Sequence, residues 1–271
     1  MIKQAIIPLA GLGTRLLPLT SVFPKELLPI NGKPGIEYIL DECLEAGIKE
    51  IIFIISNKKK MIKNYFYNDN FYKSIIKKKK DPRIIAEYKK ILKYKKMIKF
   101  VYQNKPLGTG DAVLKTKKFI KNKYFLMLLP DDLIVKKNCS KAMIEVHKKY
   151  NSSVMASMKV NKSEVSRWGI YDIKNKIDSL NFFIKSVVEK PSPKIAPSNN
   201  AVIGRYILPK KIFSKLKSLK LGKSGEFHIT DAIQALIEDD NQFIGHNFSG
   251  KYLDCGTMKG YINSTLEIAN K

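Results

Sequence analysis

The chain has 271 residues, with 50 lysines and arginines against 24 acids and a formal charge of +26. That length suffices for one sizeable core, and no run of about 18 apolar residues reads as a membrane span. Cys43, Cys139 and Cys255 are odd in number and match no metal spacing, and the three histidines are scattered, which argues against a disulfide framework or a zinc site.

The chain enters a strand at once, with neither a signal-peptide core nor a small-residue cleavage site, so a cytoplasmic location is expected. Half of the excess charge falls in residues 58–99, where fifteen lysines and Arg83 meet only Asp69, Asp81 and Glu87. Lysine rises together with Ile and Asn, the pattern of drift toward A/T-rich codons. Neither a specific nucleic-acid surface nor a membrane partner is expected, although salt-sensitive binding to polyanions follows from the charge itself.

In chain order, KQAIIPLA (3–10) is an apolar run of the kind found in a buried parallel strand. It leads into AGLGTRLLPLTSVFPKELLP (10–29), a glycine-containing loop of the type that holds phosphates. This loop is not a dinucleotide fingerprint, because Leu16 stands where a third glycine belongs. PGIEYILDECLEAGI (34–48) places its apolar residues on one helical face, and EIIFIIS (50–56) is a second buried strand. Residues 58–97 form a Lys-rich helical insertion. MIKFVYQ (97–103) returns as a strand, GTGDAVLKTKKFI (108–120) reads as a helix, and YFLMLLP (124–130) is a strand ending in Asp131 and Asp132. From 152 the pattern loosens into SSVMASMKV, GIYDI, IKSVVEK and NAVIGRYIL, four strand-like runs. Helices near 209–219 and 228–239 follow, then a strand, a turn and a C-terminal helix over 256–271. This rhythm predicts an α/β fold, a Rossmann-like, mostly parallel mixed sheet with helices on both faces, in one domain over 1–271.

Five unusual features fall at predicted strand ends, where ligands gather in open α/β sheets. Arg15 and Lys25 place permanent charge beside free loop N–H groups, as a polyphosphate requires. Asp131 suits Mg2+, which takes one or two carboxylates plus phosphate oxygens. Gln103 donates and accepts side by side, matching the imide edge of a pyrimidine. Glu189 can accept from sugar hydroxyls while Lys190 reaches a second phosphate. No nucleophile triad is evident, and phosphoryl or nucleotidyl transfer needs none. Each residue alone has a structural alternative: Arg15 and Lys25 as surface charges, Asp131 or Asp132 as an N-cap, Asp254 as a turn residue.

The joint pattern resembles the sugar-1-phosphate nucleotidyltransferases. GLGTRLLPLTSVFPKELLPINGKP matches their GxGTR…PKxLLP signature nearly residue for residue, and LLPDD and VVEKP follow in the family's order. VEKPSPKIAPSNNAVIGRYIL, SGEFHITDAIQALIE and the insertion NYFYNDNFYKSIIKKKK are similar to the uridylyl-transferring branch. Departures are Phe227 and His228 in place of Ile and Gln, Trp168 in place of Tyr, and LDCGT, which is closer to the thymidylyl-transferring form. The resemblance spans essentially the whole chain and implies the nucleotide-diphospho-sugar transferase fold. It also implies joining of UTP to glucose 1-phosphate with Mg2+ in a homo-oligomer, a dimer or tetramer. By the same resemblance, Ala10, Gly11, Gly13, Glu26, Gln103 and Gly108 would contact the nucleotide. Gly169, Glu189 and Lys190 would contact the sugar phosphate. Arg15, Lys25 and Lys190 would stabilise the transferring phosphates, and Asp131 and Asp254 would hold metal. Thymidylyl transfer, a weakly active regulatory relative and a polyanion-binding protein remain the alternatives.

Overall fold

A computed structural model describes residues 2–219 and 225–270. Met1, Ser224 at the head of SGEFHITDAI, and Lys271 at the end of the expected C-terminal helix lie outside the described residues. The N-terminal elements are β1 (Gln4–Pro8), the short β2 (Pro29–Ile30) and β3 (Lys33–Pro34), α1 (Gly35–Glu45) and β4 (Glu50–Ile55). The insertion forms α2 (Lys60–Tyr67), α3 (Asp69–Lys79) and α4 (Pro82–Met97). After it come β5 (Ile98–Tyr102), α5 (Gly108–Leu114), β6 (Tyr124–Leu128), β7 (Asp132–Val135) and α6 (Cys139–Tyr150). The chain continues through β8 (Ser153–Lys159), β9 (Gly169–Lys176), β10 (Asn181–Glu189), β11 (Asn200–Pro209), α7 (Ile212–Ser218) and α8 (Ile229–Glu238). It closes with β12 (Phe243–Asn247), β13 (Lys251–Asp254) and α9 (Met258–Ala269).

Nine strands form one mixed sheet in the order β5-β4-β1-β6-β11-β8-β12-β10-β9. β5, β4, β1 and β6 run parallel. β11 lies antiparallel between β6 and β8 and divides this half from the looser strands. Alternate residues of the parallel strands enter two cores, one on each face. Ile7, Ile51, Phe53, Leu126 and Leu128 face α1 and α6, whereas Ile6, Ile52, Ile54, Phe125 and Met127 face α5, α7 and α8. Burial on both faces is why these strands read as unbroken apolar runs.

Three local readings differ from expectation. The helix expected over 108–120 stops at Leu114, because Thr116 turns back to donate to Val113 O. Helix α6 is not among the expected helices, although it buries Cys139, Met143, Ile144 and Val146 on one face and is capped at both ends, where the Asn138 side chain accepts from Lys141 N at 2.8 Å and Asn151 takes a left-handed φ of 48°. The residues after Asp131 do not open a helix: β7 pairs antiparallel with β13, so neither Asp131 nor Asp132 is an N-cap.

The insertion is fastened to α1 and β4. Phe66 packs against Phe53 and Tyr94, with ring centroids 5.9 and 6.4 Å away. Lys90 donates to Glu37 at 2.5 Å, Tyr94 donates to Asp41 at 2.5 Å, and Tyr65 donates to Glu37 as well. Among the described residues no helix is long and apolar enough to cross a membrane.

Candidate active site

The loop after β1 folds back on itself through Thr20, whose hydroxyl donates to Gly13 O at 2.8 Å. Gly13 has a φ of 72°, a left-handed conformation that favours glycine. This fold leaves a cleft of about 500 Å³ at the ends of the parallel strands, lined by Ala10, Gly11, Gly13, Lys25, Glu26, Gln103, Gly108 and Asp131 among others.

Asp131 is the electrostatic focus of this cleft. Its Oδ2 accepts from Lys25 Nζ at 2.7 Å and from Arg15 Nη2 at 3.3 Å. Burial alone would raise the Asp131 pKa, but Lys25 and then Arg15 outweigh it and hold the carboxyl below the usual carboxylate range. Burial likewise works against the Lys25 ammonium, and Asp131 and Glu26 overcome it, so Lys25 is held above the ordinary lysine value. The neighbouring Asp132 turns the other way. It accepts from Tyr252 OH at 2.7 Å and from Gly204 N at 2.8 Å, and burial, reinforced by the Asp131 charge, raises its pKa. Asp131 therefore offers charge to the cleft while Asp132 fastens β7, β11 and β13 together.

Asp254 approaches from β13. A Cβ added to Gly256 would meet Asp131 Oδ2 at 2.8 Å, Arg15 Nη2 at 2.9 Å and Asp254 Oδ1 at 3.3 Å. Both carboxylates thus lie beside Gly256, and those of Asp254 also close its own turn, Oδ1 accepting from Gly256 N at 2.8 Å and Oδ2 from the Thr257 hydroxyl at 3.1 Å. Behind them Arg205, fully buried, donates to both oxygens of Glu42 and to the carbonyls of Leu129, Asp132 and Gly204.

Glu26 does not point freely at the cleft. Lys59 Nζ, from the start of the insertion, donates to both its oxygens at 2.7 and 2.8 Å, and both side chains are buried. Burial lowers the Lys59 pKa, and Glu26 offsets this only in part. Gln103 Nε2 donates to Gly108 O at 3.0 Å and to Asp111 Oδ2 at 2.7 Å. Gly108, with a φ of 89°, lies so close to Phe227 O that a Cβ would stand 2.5 Å from it. The Phe227 segment is thereby sealed onto the start of α5, where Gly110 N donates to Phe227 O at 2.7 Å. Glu226 joins the cleft lining.

Gly169, Glu189 and Lys190 form a second group at the paired ends of β9 and β10, where Gly169 is opposite Glu189. A Cβ at Gly169 would meet Glu189 Oε2 at 3.1 Å and Val202 Cγ2 at 3.4 Å. Lys190 has a φ of 46°, its N–H bonds Trp168 O at 2.9 Å, and its Nζ stands 3.8 Å from Glu189 Oε1. Both groups border one stretch of β11: Val202 touches the second, and Gly204 is bonded to Asp132 beside the first.

The family model described as nucleotidyl transferase matches residues 4–271. The chain belongs to the nucleotidyl transferase family. This nucleotidyl transferase is 37% identical over 270 residues to a UTP–glucose-1-phosphate uridylyltransferase of Bacillus subtilis, covering 99% of this chain and 91% of that one. It is 36% identical over 271 residues to a protein of the same name, numbered 1, from Staphylococcus saprophyticus, covering 100% and 93%. A UDP-glucose pyrophosphorylase solved in complex with UDP-glucose superposes with a TM-score of 0.87 at 35% identity, covering 100% of this chain and 99% of that one.

In this nucleotidyl transferase no group of three or more His, Cys, Asp and Glu among the described residues could cage a metal. The carboxylates of Asp131 and Asp254, both beside Gly256, are the oxygen donors that would suit a hard divalent cation completing its shell with phosphate oxygens and water. Residues that local reading missed are Lys59, Asp111, Arg205 and Gly256. Lys59 was masked by its lysine-rich surroundings, and Gly256 was visible only as part of the CGT turn.

Proposed function

We propose that this nucleotidyl transferase transfers a uridylyl group from UTP to glucose 1-phosphate, giving UDP-glucose and pyrophosphate. The observation that carries the reading is Lys25 and Arg15 converging on one oxygen of Asp131 beside a glycine loop, at the floor of a cleft with Gln103 at its wall. The full-length likeness to uridylyltransferases supports the choice of substrates.

The N–H groups of the Gly11–Gly13 loop cradle the triphosphate, and Gln103 and Gly108 hold uracil. Glu26, pinned by Lys59, holds the loop that carries Lys25. Glu189 accepts from the glucose hydroxyls across Gly169, and Lys190 guides the sugar phosphate. An oxygen of that phosphate attacks the α-phosphorus in line. The bridging bond to the β-phosphate breaks, and pyrophosphate departs with the electron pair. The attacking oxygen is already ionised, so no protein base is required, and positioning with charge neutralisation supplies the rate. Asp131 and Asp254 would hold Mg2+, which would supply further neutralisation of the phosphate charge. Action in the cytoplasm as a homo-oligomer, a dimer or tetramer, belongs to the same reading.

The test is pyrophosphate release from Mg2+, glucose 1-phosphate and each nucleoside triphosphate in turn. Release with UTP above all others is expected. A preference for dTTP would keep the mechanism and replace the base, and silence with every nucleotide from folded protein would overturn the reading.

A further inference from the structure

Gln103 has two amide hydrogens and both are spent inside the protein. Their acceptors are the carbonyl oxygen of Gly108 and a carboxylate oxygen of Asp111. Neither acceptor can donate, so the atom facing them must be Nε2, and the orientation of the amide is settled by chemistry. Asp111 is itself held: its other oxygen accepts from Lys115 Nζ at 3.0 Å, one turn along the same helix. Oε1 of Gln103 accepts no hydrogen bond among the described residues, and Gln103 lines the cleft.

We infer that Asp111 is a positioning residue for base selection, locking Gln103 so that only a carbonyl acceptor is presented to the nucleotide. This rests on the reading that the cleft receives UTP. Uracil carries an N–H donor at N3, which Oε1 accepts. Cytosine carries a lone pair there, so the two acceptors repel unless the base shifts along the wall to offer its amine. A flipped Gln103 amide would read cytosine, and the Gly108 carbonyl and the Asp111 carboxylate oppose that flip together, Asp111 being the charged and closer acceptor. A buried polar group that meets the wrong partner discriminates far more than a lost apolar contact.

The experiment compares kcat/KM for UTP and for CTP, with glucose 1-phosphate saturating, in the wild type and in Asp111→Asn. Asparagine keeps the volume, but with Lys115 drawing its oxygen it turns a donor toward Gln103, which rewards the flipped amide and leaves only the Gly108 carbonyl against it. The UTP-to-CTP ratio is expected to fall by about tenfold or more, and a general loss of structure would not move this ratio. Asp111→Ser, which deletes the acid, gives a second reading of it, and Lys115→Met, which leaves the Gln103 bonds in place, keeps the wild-type ratio. A wild-type ratio near one, or an unchanged ratio in both Asp111 variants of a UTP-preferring enzyme, overturns the role of Asp111 alone. Absence of UTP turnover in the wild type overturns the proposed function and this inference with it.

Discussion

Asp131 and Asp132 are adjacent in sequence and opposite in duty, and their pKa shifts diverge accordingly. Asp131, depressed by its cations, contributes stability that is present above its ordinary value near 4 and is lost as pH falls through its lower native value. Asp131→Asn strands Lys25, which is one-seventh exposed. The expected loss at pH 7 is about 1–3 kcal/mol, between the surface and buried limits. Urea unfolding should show the difference from wild type closing as pH falls below about 4. On activity, removal of Arg15 or of Lys190 is expected to lower kcat by about 10²- to 10³-fold, as losing a preorganised electrostatic donor does. Steady-state kinetics on folded Arg15→Ala and Lys190→Ala checks this, and near-normal turnover would remove the role from that residue.

Helix α1 is tied to four other elements through Glu42 alone. Its carboxylate takes Arg205 from β11 and both the N–H and hydroxyl of Ser140 at the start of α6, while Arg205 reaches the ends of β6 and β7. Glu42→Ala leaves a fully buried guanidinium uncompensated, so chemical denaturation should report a loss of about 3–5 kcal/mol. Lys59→Met would strand Glu26 in the same way, and the same assay should give about 3 kcal/mol. These pairs join residues 163 and 33 positions apart, so no local pattern announces them. The parallel half of the sheet was legible because burial on both faces leaves continuous apolar runs. The β7–β13 pairing was not, since four-residue strands far apart in sequence carry no period of their own. Arg15, Lys25 and Asp131 were legible as a motif. Asp111 and Arg205 act only through a partner that the fold supplies, and a linear reading passes over them.

The molecule as a whole carries +26, and much of the lysine of the insertion lies on exposed helix faces. Non-specific binding to a DNA oligonucleotide is expected at low salt, falling by at least about tenfold between 50 and 200 mM salt and ignoring sequence. Fluorescence anisotropy across a salt series checks this, and salt-resistant or sequence-selective binding would mark a dedicated surface instead. One lysine of the segment stands apart. Lys59 is buried between exposed Lys58 and Lys60. Codon drift can exchange its neighbours one at a time with little penalty. Replacing Lys59 by a neutral residue strands Glu26, 33 positions away, unless Glu26 changes too. Compositional drift can therefore rewrite the outside of this insertion at little physical cost, while the buried Lys59–Glu26 pair fixes one of its lysines to the loop after β1.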